Sequence, residues 1–215
     1  MLKIFENRSR DMTETEQQPK LTKRKVRANE TREKIYNTAF RLITERGFDN
    51  ITVDEICSES GVAKGSFYHY FKSKDDIIIE TYKIIDQKYS DEIEQLPASM
   101  NSFDKILATV GFQANYAEMK GVDFVRQIYK SQLESGTDFF ISEDRPYFKI
   151  LKKIIDEGIR KGEIKEGYTS VEMTRWILSF SRGITYDWCL HNGNYKIEEV
   201  MERVFKVMMK NFENL

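Results

Sequence analysis

Thr52-Val53-Asp54-Glu55-Ile56-Cys57-Ser58-Glu59-Ser60, then Gly61-Val62-Ala63-Lys64-Gly65-Ser66-Phe67-Tyr68-His69-Tyr70-Phe71-Lys72-Ser73-Lys74, is the stretch that decides the fold. Thr52 followed three residues later by Glu55 is a capping box, in which the threonine hydroxyl accepts the Glu55 N–H and the glutamate returns to the cap. Val53, Ile56 and Cys57 recur at helical spacing and give this short helix one apolar face. Ser60-Gly61 ends it, because Gly61 can adopt a left-handed backbone without a Cβ clash and turn the chain sharply. The next helix, Ala63 to Tyr70, anchors itself through Phe67 and Phe71. Lys64, Ser66, Tyr68, His69 and Tyr70 leave hydrogen-bond donors on the remaining surface, which suits a polar, anionic partner.

These two helices read as a helix-turn-helix, and the quoted residues resemble the DNA-binding signature of TetR-family transcriptional regulators over about residues 31 to 80. The resemblance implies an all-α chain: an N-terminal three-helix helix-turn-helix domain joined to a C-terminal helical domain for effector binding and dimerisation. It also implies a homodimer on a pseudo-palindromic operator in double-stranded DNA, with the second helix of each protomer in a major groove. Thr52, Tyr68, Tyr70 and Lys74 are then the expected phosphate contacts. Lys64, Gly65, Ser66 and His69 are the expected base-edge contacts.

Outward from this motif, residues 1–28 lack a helical apolar period and read as a disordered polar tail with a basic end, Lys20 to Arg27. Thr31 is expected to open the first helix, with Ile35, Ala39, Leu42 and Ile43 on its apolar face and Gly47 at its end. Residues 29–74 form the reading domain. Ser73 caps a longer connecting helix through Ile77, Ile78, Tyr82 and Ile85, and residues 75–215 form the second domain. Helices are predicted near 102–119, 122–135, 145–161, 169–191 and 197–213, separated at Gly121, Gly136, Gly162, Gly167 and Gly193.

Charge follows this division. Residues 20–74 hold 12 Lys/Arg against 7 Asp/Glu, and residues 75–215 hold 19 against 24, although the whole chain carries a net −1. A basic module on an acidic remainder is what phosphate binding by one end requires. No stretch approaches the roughly 20 apolar residues of a membrane span, the first 30 residues show no signal-peptide core, and a cytoplasmic, membrane-free protein is expected. Cys57 and Cys189 have no metal-ligand or disulfide spacing.

Nineteen of the 27 aromatic residues lie beyond residue 75. They fill a core or line a cavity for an apolar or aromatic small molecule. The family resemblance places an effector pocket here, expected among Tyr82, Phe112, Tyr116, Phe124, Ile128, Phe148, Trp176 and Phe180, with Gln113, Asn115, Arg126 and Arg175 as polar companions. The last two helices are apolar on more than one face, so a second copy of the chain is the expected partner, with Gly183 permitting close approach.

Asp187, Cys189 and His191 invite a catalytic or metal reading, but on a helix Cys189 points away from the other two. With no phosphate loop or nucleophile elbow, no catalytic residue, metal site or cofactor is expected. The function that follows is a ligand-responsive, sequence-specific transcriptional regulator, most simply a repressor released by a small molecule. The alternative is an architectural or protein-partnered DNA binder without an effector, to be separated by whether the second domain holds a cavity of about 300 Å³ or more.

Overall fold

A computed structural model describes residues 23–135 and 138–213, and within them the chain is nine α-helices without a strand. α1 (Lys23–Arg46) ends at Gly47, where φ is 83°. A 3-10 turn at Phe48–Asn50 leads to α2 (Val53–Ser60), whose Thr52–Glu55 capping box is fully formed. Gly61 closes α2 with φ 63°, and the Val62 N–H reaches back to the Cys57 carbonyl at 3.0 Å. α3 (Lys64–Tyr70) follows α2 after three residues, and α4 (Lys74–Glu94) starts on the Ser73 cap.

α1 starts earlier than the sequence suggests. Thr31 does not cap it; its hydroxyl donates to the Arg27 carbonyl at 2.9 Å, a bond made inside a running helix. The basic run from Lys23 to Arg27 is therefore helical rather than tail. Lys, Arg, Ala and Glu are strong helix formers, and Lys25, Val26 and Arg27 are exposed, so no apolar period marks this turn. Lys20 and the rest of the expected tail lie outside the described residues.

The second domain comprises α4, α5 (Ser102–Lys120), α6 (Val122–Ser135), α7 (Pro146–Arg160), α8 (Ser170–Leu190) and α9 (Ile197–Met209). α5 packs on α9 and α7, α7 on α8 and α4, and α4 on α6. α8 begins on a second capping box, Thr169 with Glu172. The chain end is stitched to the α7–α8 loop, where the Lys165 N–H donates to the Phe212 carbonyl at 2.8 Å.

Two cores result. The first gathers Ile35, Leu42, Ile51, Ile56, Phe67 and Phe71 with Ile77 and Ile78 of α4, and it also takes in Ile128 and Phe140 from the second domain. The second gathers Tyr89, Ile106, Tyr147, Leu151, Ile155, Met201 and Phe205. Each core buries one thiol, Cys57 at 6 % exposure in the first and Cys189 at 5 % in the second. Burial raises the pKa of both above the ordinary thiol value.

Asp86 and Arg145 form an ion pair inside the second domain, 1 % and 2 % exposed. The Asp86 carboxylate also accepts the Tyr147 N–H at 3.1 Å, satisfying the first turn of α7. Arg145 donates to the Phe140 carbonyl at 2.9 Å, so the pair ties α4, the Phe139–Ile141 turn and α7 together.

Candidate nucleic-acid interface and internal cavities

α3 buries Phe67 completely and presents Lys64, Gly65, Tyr68 and His69 to solvent, with Ser66 and Tyr70 half-exposed. The Tyr68 and Tyr70 hydroxyls make no hydrogen bond among the described residues. Lys64 reaches Asp54 of α2 at 2.7 Å, an exposed pair that raises the lysine pKa but holds it loosely. Around Gly65 a Cβ would meet nothing within 4 Å, so no packing within the chain calls for glycine at that helical position.

Two expected phosphate contacts are placed differently. The Thr52 hydroxyl donates to Glu55 Oε2 at 2.8 Å and the Thr52 N–H to the same oxygen at 2.7 Å, so both donors serve the cap of α2. The Thr52 hydrogen bonds hold the Glu55 carboxyl below its ordinary pKa. Lys74 is half-buried, its ammonium bonded to the carbonyls of Phe48 at 2.8 Å and Ile51 at 2.6 Å and lying 4.4 Å from the Phe48 ring centre. It fastens the turn after α1 to the start of α4.

The second domain holds a small cavity of about 40 Å³ lined by Tyr82 and Tyr89 of α4, Gln113, Tyr116 and Ala117 of α5, Val125, Ile128 and Tyr129 of α6, Phe140 and Thr185. No charged side chain lines it. Burial raises the Tyr89, Tyr116 and Tyr129 pKa values above the ordinary tyrosine value, so these hydroxyls stay neutral. The space falls short of the roughly 300 Å³ of an ordinary ligand pocket, and a ligand must part the rings that line it.

Of the expected pocket residues, Tyr82, Tyr116 and Ile128 line this cavity. Phe124 lines a neighbouring cleft, Phe112 packs on the second core and Phe148 is buried within it at 4 % exposure. Trp176 and Phe180 are not cavity residues; they face outward, 36 % and 53 % exposed. The inward face of α8 includes Ser170, Thr174, Ser181 and Thr185, where Thr174 and Thr185 bond the carbonyls four residues back at 2.7 Å and 2.8 Å. They share the inward face with Met173, Ile177, Leu178 and Trp188, and that leaves Trp176 and Phe180 on the opposite, outward face. Of the polar companions only Gln113 lines the cavity; Arg126 holds the Cys189 carbonyl and Arg175 pairs with Glu143.

The outward faces of α8 and α9 carry Trp176, Phe180, Val204 and Val207, each over a third exposed, around a groove of about 420 Å³ lined by Phe180, Gly183, Ile184, Tyr195 and Val200. On the same helix, His191 shares a face with Asp187, while Cys189 is buried on the other side. No group of three or more metal-ligating side chains occurs among the described residues, nor a helix long and apolar enough to cross a membrane.

Residues 35–81 match the family described as "Bacterial regulatory proteins, tetR family", and residues 85–211 match "YsiA-like protein, C-terminal region". The chain is 27% identical over 186 residues to the "Fatty acid metabolism regulator protein" of Bacillus subtilis (strain 168), covering 84% of this chain and 94% of that one. A crystal structure of Thermus thermophilus FadR, a TetR-family repressor in complex with lauroyl-CoA, superposes with a TM-score of 0.74 at 15% identity, over 86% of this chain and 96% of that one. The Bacillus subtilis FadR in complex with stearoyl-CoA gives 0.58 at 22% identity, over 84% and 99%.

Proposed function

Since the chain belongs to the TetR family of bacterial regulatory proteins, which regulate transcription and are not enzymes, we propose that it is a dimeric repressor released from its operator by an acyl-CoA. The observation that carries the DNA reading is the outward face of α3, where Gly65 and His69 are exposed, Ser66 is half-exposed and Lys64 is held only by an exposed pair with Asp54. Glycine inside a helix costs about 1 kcal/mol relative to alanine, and close approach of the α3 backbone to a base edge accounts for it. Tyr68 and Tyr70 offer hydroxyls to flanking phosphates. Thr52 and Lys74 support the motif by holding its ends and reach phosphate only through groups not already bonded.

The dimer forms through the apolar stripes of α8 and α9. Trp176, Phe180, Gly183 and Ile184 recur at the spacing of one helix face, and Val200, Val204 and Val207 do the same. Two protomers so joined present two α3 helices to matched half-sites.

The effector reading rests on the uncharged, ring-lined cavity together with the ligands bound by the similar regulators. An acyl chain suits apolar walls, and the neutral tyrosine hydroxyls suit a thioester carbonyl. Because the cavity must grow several-fold, the ligand favours a state in which α4, which carries Tyr82 and Tyr89, has moved. Such differential affinity is what regulation needs. Selection of bound duplexes from random DNA, followed by titration with acyl-CoAs of rising chain length, tests this. A recovered palindrome released by long-chain acyl-CoA supports the proposal; an operator complex indifferent to every chain length removes the effector, and failure to enrich any sequence removes the regulator.

A further inference from the structure

A cleft of about 590 Å³ separates the reading domain from the sensor. Phe40, Thr44 and the Phe48–Asn50 turn form one wall, and Lys120, Phe124, Gln127 and Lys130 the other. Five charged side chains line it: Lys120, Arg126, Lys130, Asp49 and Asp123. Arg126 and Asp123 pair with each other at 3.3 Å, and Arg126 is further held by the Cys189 carbonyl and Asn192. Lys120 and Lys130 have no carboxylate partner among the described residues, so two cations without a counter-ion stand against Asp49 alone.

Lys120 occupies a particular place. Its ammonium lies 5.1 Å from the Phe40 ring centre and 5.5 Å from that of Tyr116. Phe40 is a wall of the cleft and Tyr116 a wall of the tyrosine cavity. Lys120 therefore sits where the two spaces adjoin.

Resting on the acyl-CoA reading above, we propose that this cleft seats the phosphorylated head of the effector, with Lys120 and Lys130 as its phosphate-binding cations and the acyl chain passing Tyr116 into the cavity. A concave surface whose cations lack carboxylate partners concentrates the field that attracts phosphate. The apolar space beyond it takes a tail that the cleft could not.

The same cleft is built to report its occupancy. Lys74 bonds the carbonyls of Phe48 and Ile51, so it carries the wall formed by the turn. Asp75 accepts the Ser131 hydroxyl at 2.6 Å, and Ser131 in turn accepts from Gln127 of the opposite wall at 3.0 Å. Both walls thus converge on consecutive residues at the start of α4, just beyond α3. A head group that shifts one wall against the other loads Lys74 and Asp75 together and turns the reading helix.

The test uses the full chain and its Lys120→Gln/Lys130→Gln variant with three probes: lauroyl-CoA, CoA and dodecanoate. The double variant is expected to lose about tenfold or more in lauroyl-CoA affinity, with a shallower salt dependence, as removal of two phosphate contacts predicts. Dodecanoate binding should stay within about twofold, CoA should compete for the wild-type site, and Lys120→Arg/Lys130→Arg should restore binding. Ser131→Ala should bind lauroyl-CoA but release operator only at higher ligand concentration. Undiminished lauroyl-CoA binding by the Gln variant overturns the cleft assignment while leaving the acyl-CoA reading intact. Equal loss of dodecanoate assigns the lysines to packing and overturns it too. Unaltered release by Ser131→Ala overturns the Asp75 route. A wild-type chain that binds neither lauroyl-CoA nor dodecanoate overturns the acyl reading and this inference with it.

Discussion

Replacing Asp86 by Asn isolates the charge that locks α4 to α7. The carboxylate takes Arg145 Nε at 3.1 Å and the Tyr147 N–H at 3.1 Å, and it pairs closely with Arg145 Nη2. Asparagine is nearly isosteric and keeps an oxygen for Tyr147, so shape and helix capping survive. The guanidinium cannot shed its proton and is left without a counter-ion at 2 % exposure. Breaking a buried pair from one side costs about 3–5 kcal/mol. For a chain of this size, that lowers the melting temperature by about 6–20 °C. Arg145→Met in the same background removes the second charge, and the Phe140 carbonyl keeps its bond from Arg182 at 3.1 Å. The double variant should therefore lie within about 2 kcal/mol of the wild type, because removing both partners of a buried pair is often near neutral. Urea unfolding at one fixed protein concentration supplies the values. The double-mutant cycle should then show a coupling of at least about 2 kcal/mol. An Asp86→Asn cost under about 1 kcal/mol, or a double variant as unstable as the two singles combined, refutes the reasoning.

Gly158→Ala should destabilise by about 1–3 kcal/mol despite alanine's helix preference. Its Cβ would lie 2.6 Å from Ile164 Cδ1 and 2.7 Å from Ser102 Oγ, and a higher melting temperature would contradict this. Glu55 has a folded pKa below its ordinary 4.5, so its contribution is present above pH 4.5 and lost as pH falls through the depressed value. Thr52→Ala should flatten that acid limb of the stability curve, and an unchanged limb counts against the cap. Phe180→Glu places a charge on the α8 stripe and should give monomers in sedimentation equilibrium; a dimer of undiminished affinity removes the proposed interface. Lys64→Ala should change the ranking of related operator sequences, and an unaltered ranking removes Lys64 from base reading.

The helix-turn-helix was legible because its signals are local: Thr52, Glu55 and Gly61 specify α2 and its turn through bonds spanning a few residues. The start of α1 was not, since Lys25 to Glu30 form helix without burying a face and so leave no period to read. The sensor was legible as helices but not as a cavity. In α8 apolar residues cover several faces, and nothing in the sequence announces that Thr174, Ser181 and Thr185 satisfy their own hydroxyls and turn inward, leaving Trp176 and Phe180 outside. Tyr89, Tyr129 and Phe140 converge with Tyr82 and Tyr116 only through the packing of α4, α5, α6 and the Phe139–Ile141 turn. The bonds of Lys74 to Phe48 and Ile51 span more than 20 residues, beyond the reach of any local pattern.

Cys57 and Cys189 give the molecule two built-in clocks. Each thiol is shut inside a different core, and only an opening event brings it to an alkylating reagent. Their separate labelling rates read how often the reading head and the sensor each come apart, without any introduced probe. Where the rates diverge, the two halves unfold as independent units; where both slow together on adding an acyl-CoA, stabilisation has crossed the joint between them.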